Sequence, residues 1–200
     1  MKKLFSIFLL VVAGLSATPA TTQITLVNAG SPLVDDGKYY VGSYTISMNG
    51  QNYAALCVDF LHQTSVGTTW TAYINTASDY PKVYHPDNLV GYGEEAYLYN
   101  LITKPNADRV NIQHAAWNIT DPNYQIGSVA QTFVNQAQAN YMNMNLSGFE
   151  VLSAKDCSQQ EFLVWNPSCA APEPGSFAML GGGLLVGIGL IRRNRKKMIN

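Results

Sequence analysis

The chain has 200 residues, of which only 12% are charged, and its formal net charge is −1 at pH 7. A nearly neutral chain with scarce basic residues excludes an electrostatic nucleic-acid binder, which needs a basic patch or stripe. Tyrosine, threonine, asparagine, serine and glutamine supply the polarity instead, and the first two favour strands. This composition suits an exported, strand-rich surface protein.

The first predicted element is a secretory signal peptide over residues 1–20. Two lysines precede an apolar run at residues 4–15, and small residues follow at 16–20. A basic start, a short apolar segment and a small-residue cleavage region are typical of a secretory signal. An uncleaved anchor is the alternative, but the apolar run is short for a membrane span. The folded body is therefore predicted to occupy residues 21–170.

The first half of the body is predicted to be mainly strands. Alternation of apolar and polar residues indicates strands over residues 22–28, 39–48, 51–60 and 68–76. Asn49-Gly50 separates the second from the third and is typical of a two-residue hairpin turn. Residues 77–87 are predicted to form a loop.

The second half of the body begins with helices and returns to strands. Helices are predicted over residues 88–103, 109–119 and 128–142, and strands over 148–153 and 161–165. The order of strands, helices and strands predicts an α+β fold. We expect an antiparallel, barrel-like sheet with an inserted group of two or three helices, flanked by a signal helix and a C-terminal transmembrane helix.

Cys157 and Cys169 are predicted to pair with each other. Exported proteins form disulfides in an oxidising compartment, and such a bridge stabilises a fold by about 2–4 kcal/mol. This pairing leaves Cys57 as an unpaired cysteine, which needs an explanation in an exported protein. Burial is one explanation, and a covalent role is another.

Residues 171–200 are predicted to be a second targeting signal. Pro172, Glu173 and Pro174 precede an apolar, glycine-rich run at 177–191, and arginines and lysines follow it. This three-part tail resembles the PEP-CTERM sorting signal. The resemblance implies membrane anchoring through this helix, processing by an exosortase-type enzyme, and delivery to the cell surface or matrix of a Gram-negative-type bacterium. A plain tail anchor, with its basic end held on the cytoplasmic side, is the alternative.

Gln113 is the least expected residue of the second predicted helix. A helical projection of residues 109–119 puts it inside the apolar arc, between Ala116 and Trp117. A buried primary amide has up to four hydrogen-bonding positions, and leaving them empty costs about 1–3 kcal/mol. Gln113 therefore needs a polar partner or a chemical role.

Cys57 lies on the strand predicted over residues 51–60, on the face that it shares with Asp59. A thiol beside a buried glutamine can displace ammonia from the amide and form an intramolecular thioester. Two segments resemble, in order, the paired motifs of the thioester domains of bacterial surface adhesins. They are Leu56-Cys57 and Ile112-Gln113-His114-Ala115-Ala116-Trp117.

The resemblance implies a crosslink between Cys57 and Gln113, in a site shaped by Leu56, Asp59 and Trp117. A surface amine or hydroxyl would attack the acyl carbon once, so the protein is not expected to be an enzyme. The alternative is a structural or exopolysaccharide-associated matrix protein without covalent chemistry. Cys57 is then a small buried hydrophobe, and Gln113 is bonded to the backbone.

The remaining polar residues indicate no cofactor and no metal site, because the histidines and cysteines lack metal-ligand spacing. A hydrolytic pair of Cys57 with His62 or His114 lacks an orienting third group. His114 is predicted to face solvent. Glu94 and Glu95 are predicted to interact with the helix dipole near a helix start.

Overall fold

The computed structural model describes residues 19–30, 33–34, 39–76, 80 and 82–167, which form eight β-strands and three α-helices. The strands are β1 Thr21–Asn28, β2 Leu33–Val34, β3 Tyr39–Tyr40, β4 Tyr44–Met48, β5 Gln51–Cys57, β6 Thr69–Thr76, β7 Phe149–Ala154 and β8 Phe162–Trp165. The helices are α1 Leu89–Ile102, α2 Arg109–Thr120 and α3 Ser128–Asn140, and a 3-10 turn follows at Tyr141–Asn143. The predicted order of strands, helices and strands is confirmed.

Six of the described strands close into an antiparallel barrel in the order β1-β4-β5-β8-β7-β6, with β6 pairing back onto β1. Closure pairs both sides of every strand, which removes exposed sheet edges. The single strand predicted over residues 39–48 is wrong. The chain leaves the extended conformation at Gly42, where φ is +126°, and β3 pairs with β2 in a separate two-stranded sheet.

The apolar core has two parts because successive residues of a strand point to opposite faces. Side chains from all six barrel strands fill the interior, among them Ile24, Ile46, Cys57, Trp70, Leu152 and Phe162. The outer face of β5, β7 and β8 packs against the helices through Leu56, Val151 and Leu163. Cys57 and Leu56 therefore belong to different parts of the core.

Helix α2 contributes to both parts of the core. Val110 and Trp117 pack with the barrel interior, whereas Ile112 and Ala116 pack among the helices. Gln113 comes three residues after Val110 and four before Trp117, so it shares their side of the helix. The predicted single apolar arc is thus divided, and Gln113 lies on the side directed at the barrel.

The predicted hairpin turn joins β4 to β5, with φ of +52° at Asn49 and +77° at Gly50. A type I′ turn requires positive φ at both central residues, so the turn is of this type.

Gly50→Ala is expected to lower the free energy of unfolding by about 1 kcal/mol. A Cβ at Gly50 meets no atom within 4 Å, so backbone strain alone causes the loss. Urea denaturation measures the difference, and an unchanged midpoint would contradict the prediction.

The predicted targeting segments fall largely outside the described residues. This applies to the signal peptide up to residue 18 and to the tail from residue 168 onward. Among the residues that the structure does describe, no helix is long and apolar enough to cross a membrane.

Candidate functional site

Cys57 and Gln113, 56 residues apart in sequence, meet where β5 ends against α2. The Gln113 Nε2 donates a 2.6 Å hydrogen bond to the main-chain oxygen of Cys57, and both residues are 0% exposed. Two turns later, the Thr120 hydroxyl donates a 2.7 Å bond to the main-chain oxygen of Val58. Two side chains of α2 therefore bind the end of β5 directly.

The Gln113 amide is only half satisfied. Its nitrogen has the Cys57 oxygen as partner, but Oε1 has no hydrogen-bond partner among the described residues. An unsatisfied buried acceptor costs about 1–3 kcal/mol. The fold thus holds a partly unsatisfied polar group beside Cys57.

The Cys57 thiol is directed into the barrel and donates to the main-chain oxygen of Asp59 at 3.2 Å. Burial raises the pKa of this thiol to about 12, and the nearby Asp59 and Glu95 carboxylates act in the same direction. The Trp117 indole, which lies near the sulfur without regular hydrogen-bond geometry, offsets part of this rise in pKa. Cys57 is therefore protonated at neutral pH.

An aromatic cap covers this end of the barrel. Trp117 is 1% exposed, and its ring centroid lies 5.0 Å from that of Phe60, 5.5 Å from Tyr124 and 6.4 Å from Tyr39. His114 joins the cap through a 3.2 Å contact between its Nδ1 and the Tyr124 hydroxyl. The prediction that His114 faces solvent is wrong, because the cap half-buries it.

The alternation expected of a strand holds for Leu56 but not for Phe60. Leu56 is fully buried, but it packs among the helices on the opposite side of β5 from the sulfur. An alternation continued through residue 60 would place Phe60 on the face of Leu56, but the Phe60 ring packs on Trp117. The alternation ends because β5 stops at Cys57, so Phe60 belongs to the following turn.

Asp59, which is 1% exposed, orients His62. Its Oδ1 accepts a 2.8 Å bond from the main-chain nitrogen of Leu61, and its Oδ2 lies 2.6 Å from the His62 Nδ1. The His62 side chain is 34% exposed. The sequence analysis did not identify Asp59 as the group that orients His62. The spacing Asp-x-x-His directly after a strand could have indicated this pair.

His62 and Trp117 line a common cleft of about 300 Å³ at the capped end of the barrel. Besides Ala29 and Val66, its other lining side chains are aromatic or neutral polar. These are Tyr39, Tyr40, Tyr44, Phe60, Gln63, Thr64, Ser65 and Gln160. Cys57 does not line the cleft, but Trp117, which does, lies near the Cys57 sulfur.

A group of buried carboxyls lies beside the same strand end. Glu161 accepts hydrogen bonds from the Tyr92 hydroxyl at 2.5 Å, the Tyr84 main-chain nitrogen at 3.0 Å, and the Ser153 hydroxyl. Burial raises the pKa of Glu161 to about 7. Glu95 is 0% exposed, and burial together with the Glu161 charge raises its pKa well above the usual value. The predicted interaction of Glu94 and Glu95 with the helix dipole is wrong, because α1 begins at Leu89 and has no acidic residue in its first turn.

Several predicted residues lie apart from this site. Cys157 carries a free, exposed thiol, and Cys169 lies outside the described residues, so their pairing stays a prediction. Within the described ranges, no group of three or more histidine, cysteine, aspartate or glutamate residues is placed to hold a metal ion.

Comparison with protein-family models matches residues 170–196 to the PEP-CTERM protein-sorting motif. These residues are a PEP-CTERM sorting motif. The matched segment contains Pro172, Glu173 and Pro174, as predicted. A PEP-CTERM motif implies a surface or extracellular protein that is anchored in a membrane before an exosortase-type enzyme processes it.

The two other comparisons were with curated proteins and with solved structures. No match was found among curated proteins. Among solved structures, the chain is similar to the N-terminal thioester domain of a surface protein from Clostridium perfringens, at 14% identity and a TM-score of 0.43. The similarity covers 72% of this chain and 98% of that one.

Proposed function

We propose that the body of this exported protein carries an internal thioester between the Cys57 sulfur and the Gln113 side-chain carbonyl carbon. The supporting observation is the 2.6 Å bond from Gln113 Nε2 to the main-chain oxygen of Cys57, between two fully buried residues. This contact brings the amide to the residue whose thiol attacks it. The bond to the backbone also fits the alternative of a structural role, but the Oε1 atom without a partner favours a chemical one.

Thioester formation needs no reagent from outside the chain. The Cys57 sulfur adds to the Gln113 carbonyl carbon, the thiol proton passes to the amide nitrogen, and ammonia leaves as the carbon–nitrogen bond breaks. The aromatic cap around Trp117 keeps water from the product, since bulk water would hydrolyse it. Because a thiol with a pKa of about 12 is rarely ionised, we expect slow formation after folding.

The thioester then reacts with a nucleophile on another surface. An amine or hydroxyl attacks the Gln113 carbon, the carbon–sulfur bond breaks, and Cys57 regains a proton. The product is an amide or ester that joins this protein to its target. Each molecule reacts once, so the protein is not an enzyme in the sense of turnover. Its place of action is the surface or matrix of a Gram-negative-type bacterium, which the sorting motif supports.

Intact mass spectrometry tests the bond. The mature wild-type protein is expected to be lighter than its sequence by one ammonia, and methylamine is expected to form a covalent adduct. Cys57→Ala and Gln113→Ala are each expected to have the full sequence mass and no adduct, because each removes one partner of the bond. Cys157→Ala, which removes an exposed thiol, is the matched control and is expected to keep the deficit.

A wild-type protein with full sequence mass and a titratable Cys57 thiol after denaturation would refute the thioester. That result would favour the alternative of a non-covalent matrix protein.

A further inference from the structure

The cleft between His62 and Trp117 has a chemical character that indicates its ligand. Tyr39, Tyr40 and Phe60 offer aromatic surface, and Gln63 and Gln160 are among the neutral side chains that can exchange hydrogen bonds. Among the described residues that line the cleft, none is lysine, arginine, aspartate or glutamate. Sugar rings present apolar C–H faces to aromatic rings and hydroxyls to neutral amides. The lining therefore favours a neutral saccharide over a cationic or anionic group.

The pair formed by Asp59 and His62 supplies a base in this cleft. Asp59 Oδ2 lies 2.6 Å from His62 Nδ1, and a carboxylate on Nδ1 fixes the proton there, so Nε2 of the neutral ring accepts. A second contact, between Asp59 Oδ1 and the Leu61 nitrogen at 2.8 Å, holds the carboxylate in place. The ring centroid of Tyr84 lies 5.0 Å from that of His62 and supports the imidazole on one side.

The same pair is linked to the thiol. The main-chain oxygen of Asp59 accepts the 3.2 Å bond from the Cys57 sulfur, and the Gln160 side chain donates to that oxygen at 3.2 Å. Trp117 also lines the cleft and lies near the sulfur. Two residues, Asp59 and Trp117, therefore connect the histidine and the cleft to the thiol.

We infer that the cleft binds a sugar unit of a neutral polysaccharide and that His62, positioned by Asp59, acts as general base on one of its hydroxyls. This inference rests on the proposed thioester. The hydroxyl proton moves to His62 Nε2 as the oxygen attacks the Gln113 carbonyl carbon. The carbon–sulfur bond then breaks, the sulfur regains a proton, and an ester joins Gln113 to the polysaccharide.

A comparison of a hydroxyl with an amine nucleophile separates this role from a structural one. A hydroxyl is a weak nucleophile until a base removes its proton, whereas an unprotonated amine attacks without one, and a general base contributes about 10²–10⁴-fold. His62→Gln is therefore expected to lower the ratio of the dextran rate to the methylamine rate by about a hundred-fold or more. His85→Gln, at a histidine outside the cleft, is the matched control and is expected to keep the wild-type ratio.

The measurement is the rate of adduct formation on thioester-containing protein, followed by intact mass with dextran oligomers and with methylamine. Gln63→Ala keeps the base and removes one cleft amide, so it is expected to raise the dextran concentration needed for half-maximal rate. Wild-type protein that captures methylamine or polylysine but not dextran overturns the inference and leaves the thioester standing. An unchanged ratio in His62→Gln also overturns it. A wild-type protein without the ammonia deficit instead refutes the proposed function itself.

Discussion

Trp117→Ala is expected to lower the free energy of unfolding by about 3–5 kcal/mol. The indole is 1% exposed and packs on Phe60, Tyr39 and Tyr124. Closely packed rings held by different segments cannot all move into the space that truncation leaves. Urea denaturation measures the loss. Trp165→Ala, at a tryptophan that is 43% exposed, is the control and is expected to cost about 1 kcal/mol or less.

The same substitution tests the protective role of the cap. Trp117→Ala is expected to shorten the lifetime of the proposed thioester at neutral pH, because water would then reach the Gln113 carbon. The gain of one water in intact mass over time reports the hydrolysis. Equal stability losses in the two tryptophan variants, or equal hydrolysis rates, would contradict the assignment of Trp117 as the cap.

The stability of the fold is expected to fall by about 3 kcal/mol as the pH rises from about 4.5 to above 7. Burial raises the pKa of Glu161 to about 7 in the folded state, against 4.5 for an ordinary glutamate. Between these values the folded state binds more protons than the unfolded state, so rising pH favours unfolding at about 1.4 kcal/mol per pKa unit. Below both values the full stability is present. The raised pKa of Glu95 continues the same trend toward higher pH.

Urea denaturation at a series of pH values measures this dependence. Glu161→Gln is expected to reduce the fall below pH 7, because an amide does not titrate, and to leave the part that Glu95 contributes. Asp156→Asn, at an exposed carboxyl whose pKa is lowered by the Ser158 hydroxyl, is expected to keep the fall. Stability that increases from pH 5 to pH 7 in the wild type would contradict the prediction.

Local patterns in the sequence predicted most elements of the fold. The helix predicted over residues 109–119 runs from 109 to 120, and the strand predicted over 68–76 runs from 69 to 76. These limits depend on periodicity and on nearby turn residues, which are local properties. The pairing of β1 with β6, which closes the barrel, joins distant segments, and no local pattern specifies it. The split of residues 39–48 also required the backbone conformation at Gly42.

The candidate site was predictable in part. Gln113 stood out because an amide inside an apolar arc is anomalous, and the structure places it against Cys57. The pairing of Asp59 with His62 depends on the turn after β5, which the alternating pattern of the strand does not describe. The burial of Glu95 was missed for a related reason. Helix α1 is buried on most of its surface, so a polar residue near its start did not imply exposure.

The burial of the Cys57 thiol has a consequence for the permanence of any attachment. After the proposed reaction the sulfur returns to a thiol with a pKa of about 12, so at pH 7 only about one molecule in 100,000 is ionised. The thiolate is the form that would attack the new ester and release the target. Burial of the sulfur in the barrel interior is therefore expected to slow the release of the target.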